Sequence, residues 1–107
     1  MASKPTFRAE RPERRPTHPG VVLRDTVPHA IGMNVAPSAE AMGVSRQTLH
    51  RILSGRGPVT PAMALRIGKF CGNGPDVWLA LQQVVDLWDA RQAIAKELAA
   101  IPTQKAA

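Results

Sequence analysis

Apolar residues along this chain recur at three- and four-residue steps, and glycines and prolines break the pattern into short segments. That period is helical. No segment alternates apolar with polar residues as a half-buried strand does, so the expected class is all-α. The first seventeen residues carry no apolar stripe. Pro5, Pro12 and Pro16 stand there among Lys4, Arg8, Arg11, Arg14 and Arg15, a composition that buries little and predicts a disordered basic arm over residues 1–17.

From His18 the pattern changes. Pro19 suits the first turn of a helix whose apolar face is Val22, Leu23 and Val27, and Pro28 stops that helix or weakens its end. Ile31 and Met33 are expected to pack in the connection. Asn34 is placed as N-cap of a second helix, Val35 to Met42, where Pro37 is tolerated because it lies in the first turn. Ser45 to Leu53 forms a third helix, ended by Ser54-Gly55-Arg56-Gly57-Pro58. Thr60 caps a fourth, with Pro61 at its first position and Ala62, Leu65, Ile67 and Phe70 available for burial. Gly72-Asn73-Gly74 breaks it, and Pro75 opens a long fifth helix that stops near Pro102.

That fifth helix has two apolar stripes. Trp78, Leu81, Val85 and Trp88 are expected to pack on the domain. Val84, Leu87, Arg91, Ile94, Leu98 and Ile101 continue in heptad-like steps. A helix apolar on two sides covers the domain on one and meets something on the other, either its own chain folded back or a partner. Leu87, Arg91, Ile94, Leu98 and Ile101 are the candidate seam of a homodimer, with Arg91 at its edge or paired with Asp89 or Glu97 of the other copy. The expected architecture is a compact five-helix bundle: an arm at 1–17, a domain at 18–101 whose long C-terminal helix dimerises, and a tail at 102–107.

The centre of the chain carries the chemistry. Gly43 permits the positive φ that ends the second helix, Val44 plugs the turn, and Ser45 caps the next helix. Met42, Val44, Leu49 and Ile52 point to one core. Arg46, Gln47, Thr48, His50 and Arg51 are left on the outer face, where they can meet base edges and phosphates in a DNA major groove. This is the pattern of a helix-turn-helix. Ser45, Arg46, Gln47, Thr48, His50, Arg51, Arg56 and Asn34 are therefore the candidate DNA-binding residues.

Charge supports a polyanionic partner. The net charge is +6, and no Asp or Glu occurs from Ala41 to Pro75, where Arg46, Arg51, Arg56, Arg66 and Lys69 all lie. Other chemistries find little support. His18, His29 and His50 are scattered, and nothing pairs a nucleophile with a base, so no enzyme is expected. The lone Cys71 allows no internal disulfide, and no four ligands cluster for zinc, so neither metal nor cofactor is expected. The aromatics are Phe7, Phe70, Trp78 and Trp88, of which three sit at core positions, leaving no stacking platform for single-stranded RNA. No segment reads as a membrane span or signal peptide, and a cytoplasmic location is expected.

With these residues placed, the chain resembles the HigA antitoxins, also called the virulence-associated protein I group, of the Cro/repressor-like helix-turn-helix superfamily. The resemblance runs from His18 to about Arg91 and rests on four segments. They are His18-Pro19-Gly20 with Leu23-Arg24-Asp25; Gly43 to Leu49; Ser54-Gly55-Arg56 with Thr60 to Arg66; and Pro75-Asp76-Val77-Trp78-Leu79 with Gln82 and Asp86-Leu87-Trp88. The Thr-Pro helix followed by Pro-x-x-Trp-Leu is the most specific part. Pro37 and Ser38 depart from the pattern, in which a residue such as Glu or Thr begins the second helix. The arm and the tail after Arg91 lie outside it.

The resemblance implies a repressor-like fold and an antitoxin of a type II toxin-antitoxin module. Such a protein neutralises a HigB-type, RelE-like ribonuclease and represses its own operon as a dimer on a pseudo-palindromic operator. RelE-like toxins are themselves usually basic, so a toxin is expected on the acidic side of the fifth helix (Asp76, Asp86, Asp89, Glu97) or on the arm. The alternative is a solitary helix-turn-helix repressor with no toxin partner.

Overall fold

The computed structural model describes residues 14–31 and 34–104, the side chains of 26–31 excepted. Residues 1–13 of the expected arm, the side chain of Val27, the packing of Ile31 and Met33, and residues 105–107 of the tail lie outside the described residues. Six helices and no strand occur among the described residues: α1 Pro19–Ile31, α2 Val35–Met42, α3 Arg46–Leu53, α4 Pro61–Cys71, α5 Asp76–Ala93 and α6 Ala95–Ala99. The all-α expectation and four of the five expected helices appear nearly as read. None of the six is long and apolar enough to cross a membrane.

Three differences have physical content. First, α1 continues three residues past Pro28. A proline costs a helix the bond its N–H would make to the carbonyl four residues back and crowds that carbonyl; with only three residues following Pro28, the cost stays at the helix's C-terminal end. Second, the long C-terminal helix is two helices, because Ile94 adopts φ −118°, ψ 28° and leaves the helical region. Its N–H still bonds Ala90 O at 3.0 Å, and its carbonyl receives the Leu98 N–H at 2.8 Å, so the chain bends without losing those bonds. Every described residue from Asp89 onward is exposed, so among the described residues no buried side chain holds this end straight. Third, α4 buries Met63, Ala64, Ile67 and Gly68, while Leu65 is 61% exposed and Ala62 is also outside. The helix sits a fraction of a turn away from the expected phase.

The core is Leu23, Ala39, Met42, Leu49, Ile52, Val59, Met63, Ala64, Ile67 and Trp78, with Val44, Phe70 and Leu81 packed partly against it. Helices α1 and α2 pack on α3, α2 on α4, and α4 and α1 on α5. The α1–α3 approach depends on Gly20, where a Cβ would overlap the Ile52 carbonyl. At the start of α1, His18 Nδ1 accepts the Gly20 N–H at 2.9 Å, so a buried imidazole acts as the N-cap. One polar side chain is built into the core's edge. Gln82, 7% exposed, accepts the Val59 N–H at 2.8 Å through Oε1 and donates Nε2 to Asp86 at 2.9 Å. It ties the α3–α4 loop to α5.

Candidate nucleic-acid interface

The two helices of the motif meet at a turn closed by two backbone hydrogen bonds. Gly43 takes φ 74°, ψ 32°, a conformation that a Cβ disfavours. Its N–H reaches Glu40 O at 3.1 Å, and the Val44 N–H reaches Ala39 O at 3.0 Å, the two-bond closure of a Schellman motif. Ser45 then caps α3. Its Oγ accepts the Thr48 N–H at 3.0 Å and donates to Thr48 Oγ1 at 2.9 Å. The Ser45 hydroxyl hydrogen is thus spent inside the cap, and the Thr48 oxygen is already accepting one bond. Thr48 is left with its own hydroxyl hydrogen and its methyl to offer outward.

Helix α3 is sharply two-sided. Leu49 and Ile52 are 1% and 3% exposed, whereas Arg46, Gln47, Thr48, His50 and Arg51 are all exposed. Arg46, Gln47 and Thr48 share the first turn. The expected outer face is therefore brought together as read. Arg56 lies just past the C-terminus of α3, exposed, with its N–H on Arg51 O at 2.9 Å and Nε on Ser54 Oγ at 3.1 Å. These bonds hold its backbone and the Nε edge of its guanidinium. Asn34 does occupy the N-cap of α2, but its side chain makes no capping bond; only its carbonyl is used, by the Ser38 N–H at 3.1 Å. The exposed Asn34 amide stands at the N-terminus of the first helix of the motif.

One residue at this site was legible only as charge. Arg66, on α4, donates Nη1 to Met42 O at 2.8 Å and to Gly43 O at 3.3 Å. These are carbonyls at the C-terminal end of α2, where partial negative charge collects. A stretch of sequence rich in arginine carries no sign of which arginine turns inward.

The expected dimer seam is a separate surface. Leu87 on α5, Leu98 on α6, and Ile94 and Ile101 flanking α6 are 43–63% exposed, and Val84 and Arg91 on α5 are exposed as well. Asp89, one of the two acids offered to Arg91 across the seam, is engaged within the chain. Arg15 grips it with two bonds, Nε to Oδ1 at 2.8 Å and Nη2 to Oδ2 at 2.9 Å. That hydrogen-bonded pairing lowers the Asp89 carboxyl pKa and raises that of Arg15. It anchors residue 15 of the expected arm on α5. Away from both surfaces, partial burial raises the Cys71 thiol pKa, away from a reactive thiolate.

A capped α3 with a polar outer face, set against α2 through a left-handed glycine, defines a DNA-binding helix-turn-helix protein. The helix-turn-helix domain family matches residues 7–81. Antitoxin HigA-1 of Vibrio cholerae is 36% identical over 85 residues, covering 79% of this chain and 80% of the relative. The Pseudomonas aeruginosa antitoxin HigA, solved with the higBA promoter, superposes with a TM-score of 0.79 at 29% identity over 85% of this chain and all of that one. The antitoxin GraA, solved in complex with its operator, gives 0.77 at 35% identity over 92% of this chain and 99% of that one. The chain belongs to the helix-turn-helix family and, within it, to the HigA-type antitoxins.

Proposed function

We propose that this protein is a sequence-specific DNA-binding antitoxin that represses its own operon and neutralises a RelE-like ribonuclease. The observation that carries the reading is the first turn of α3. Three side chains with base-reading chemistry, Arg46, Gln47 and Thr48, stand exposed on a helix whose other side is buried in the core. Gln47 suits adenine, Arg46 suits guanine or a phosphate, and the Thr48 methyl suits thymine. His50, Arg51, Arg56, Asn34 and the Ser45 cap surround them, with Arg51 and Arg56 placed for the backbone. The 1–17 arm, the 18–101 domain and the 102–107 tail are the proposed division of the chain.

A single such unit makes few base contacts, so two copies on half-sites about one helical turn apart are needed for tight binding. The Leu87, Arg91, Ile94, Leu98 and Ile101 surface is the proposed seam. The toxin is placed on the acidic side of α5, away from Arg46 and Gln47, so that one molecule holds toxin and DNA together. Asp76 and Asp86 on α5, with Glu97 on α6, favour a basic partner.

Gel shifts on the chain's own promoter test the DNA half. Co-expression with the product of the adjacent gene, followed by co-purification and an mRNA-cleavage assay, tests the toxin half. Promoter binding with no complex and no protection leaves a solitary repressor.

A further inference from the structure

We infer that Arg66 is a positioning residue for DNA reading: a strut from α4 that sets the angle at which α3 is presented, without itself touching a base. The inference rests on the DNA reading proposed above and deepens it. Arg66 leaves α4 and places Nη1 on the carbonyls of Met42 and Gly43, at 2.8 and 3.3 Å. Those are the last carbonyl of α2 and the carbonyl of the left-handed glycine, the point about which the two helices of the motif are hinged. Gly43 also provides the seat, because a Cβ there would stand 2.7 Å from Nη1. The glycine is thus required twice, for its φ and for the room it leaves the guanidinium.

The turn that Arg66 holds is bonded directly to the reading residues. One residue beyond Val44, Ser45 closes its cap on Thr48 through two bonds. A shift at the Met42–Gly43 carbonyls is therefore passed through Val44 and Ser45 to the first turn of α3, where Arg46, Gln47 and Thr48 stand. Base-edge hydrogen bonds demand side-chain placement to within a few tenths of an ångström, whereas attraction to phosphates tolerates more. Losing the strut should then cost discrimination rather than general affinity. Lysine is an incomplete substitute, since its ammonium is a point charge on a flexible stem and lacks the planar fork.

The direct alternative is that Arg66 contacts a DNA phosphate, and salt separates the two. Parent, Arg66→Met and Arg66→Lys are compared on the promoter fragment and on random duplex, at several salt concentrations and below each variant's melting temperature. A strut predicts a loss of about tenfold or more on the operator for Arg66→Met, little change on random DNA, an unchanged salt slope, and partial recovery in Arg66→Lys. A phosphate contact instead weakens both DNAs alike and lowers the salt slope by about one, which overturns the inference. Parent-like discrimination in Arg66→Met overturns it as well while leaving the DNA reading intact. If the parent itself fails to discriminate, the DNA reading falls first and the inference with it.

Discussion

Replacing Gln82 with leucine removes the buried hydrogen bond that holds the α3–α4 loop, together with the partly buried one to Asp86. The parent amide accepts the Val59 N–H at 2.8 Å, and Val59 is 2% exposed, so that donor has no access to bulk water. Leucine nearly conserves volume and keeps the site dry, leaving the N–H unpaired. An unsatisfied buried donor costs about 1–3 kcal/mol, and some apolar packing is regained, so a net loss of about 1–2 kcal/mol is expected. For a domain of this size that is a fall in melting temperature of about 4–16 °C. Alanine should cost more than leucine where the site stays empty, by about 0.8 kcal/mol for each methylene removed, and less where water enters to satisfy Val59. Gln82→Glu keeps the acceptor but sets a second carboxylate against Asp86, now 2.9 Å from Nε2, so its loss should shrink as pH falls and one carboxylate protonates. Urea unfolding at fixed protein concentration, with unchanged slope, measures all three. A Gln82→Leu midpoint within about 0.5 kcal/mol of the parent would refute the claim that Val59 depends on this side chain.

Gln47→Ala should lose about 1–3 kcal/mol on the operator and little on random DNA, whereas Arg56→Ala should weaken both and flatten the salt dependence; titrations at several salt concentrations decide. Sedimentation at micromolar concentration should show a dimer that Ile94→Asp shifts toward monomer, and a monodisperse parent monomer would remove the proposed seam. Gly20→Ala should destabilise strongly, because its methyl overlaps the Ile52 carbonyl and forces α1 off α3; a melt within a few degrees of the parent would contradict that packing. Burial, then the nearby Arg15, depress the His18 pKa below its ordinary 6.5. The unfolded chain therefore binds the proton more tightly, and stability is full above about pH 6.5 and declines as pH falls through that value, until the folded imidazole also protonates. His18→Asn, which keeps a cap acceptor for Gly20 but cannot titrate, should flatten that part of the pH profile. An equally steep profile in the variant would assign the titration elsewhere.

The helices of the motif, their caps and the outward set on α3 could be read from the chain because each is a local property. Gly43 ends α2 through its own φ, Ser45 caps α3 through a bond three residues on, and Leu49 and Ile52 share a face by helical period alone. The same logic exposed the second stripe on α5 before any contact was known. What only the tertiary structure decided are bonds between residues far apart in the chain. Gln82 meets Val59 across 23 positions, Arg66 meets Met42 across 24, and Arg15 meets Asp89 across 74. Period and capping carry no information about such partners, since a polar side chain at a given helical phase can face water or another backbone equally well. The phase of α4, which leaves Leu65 outside, and the bend at Ile94 belong to the same group. Each is set by which neighbouring surface is present to bury a side chain, and among the described residues none is buried beyond Trp88.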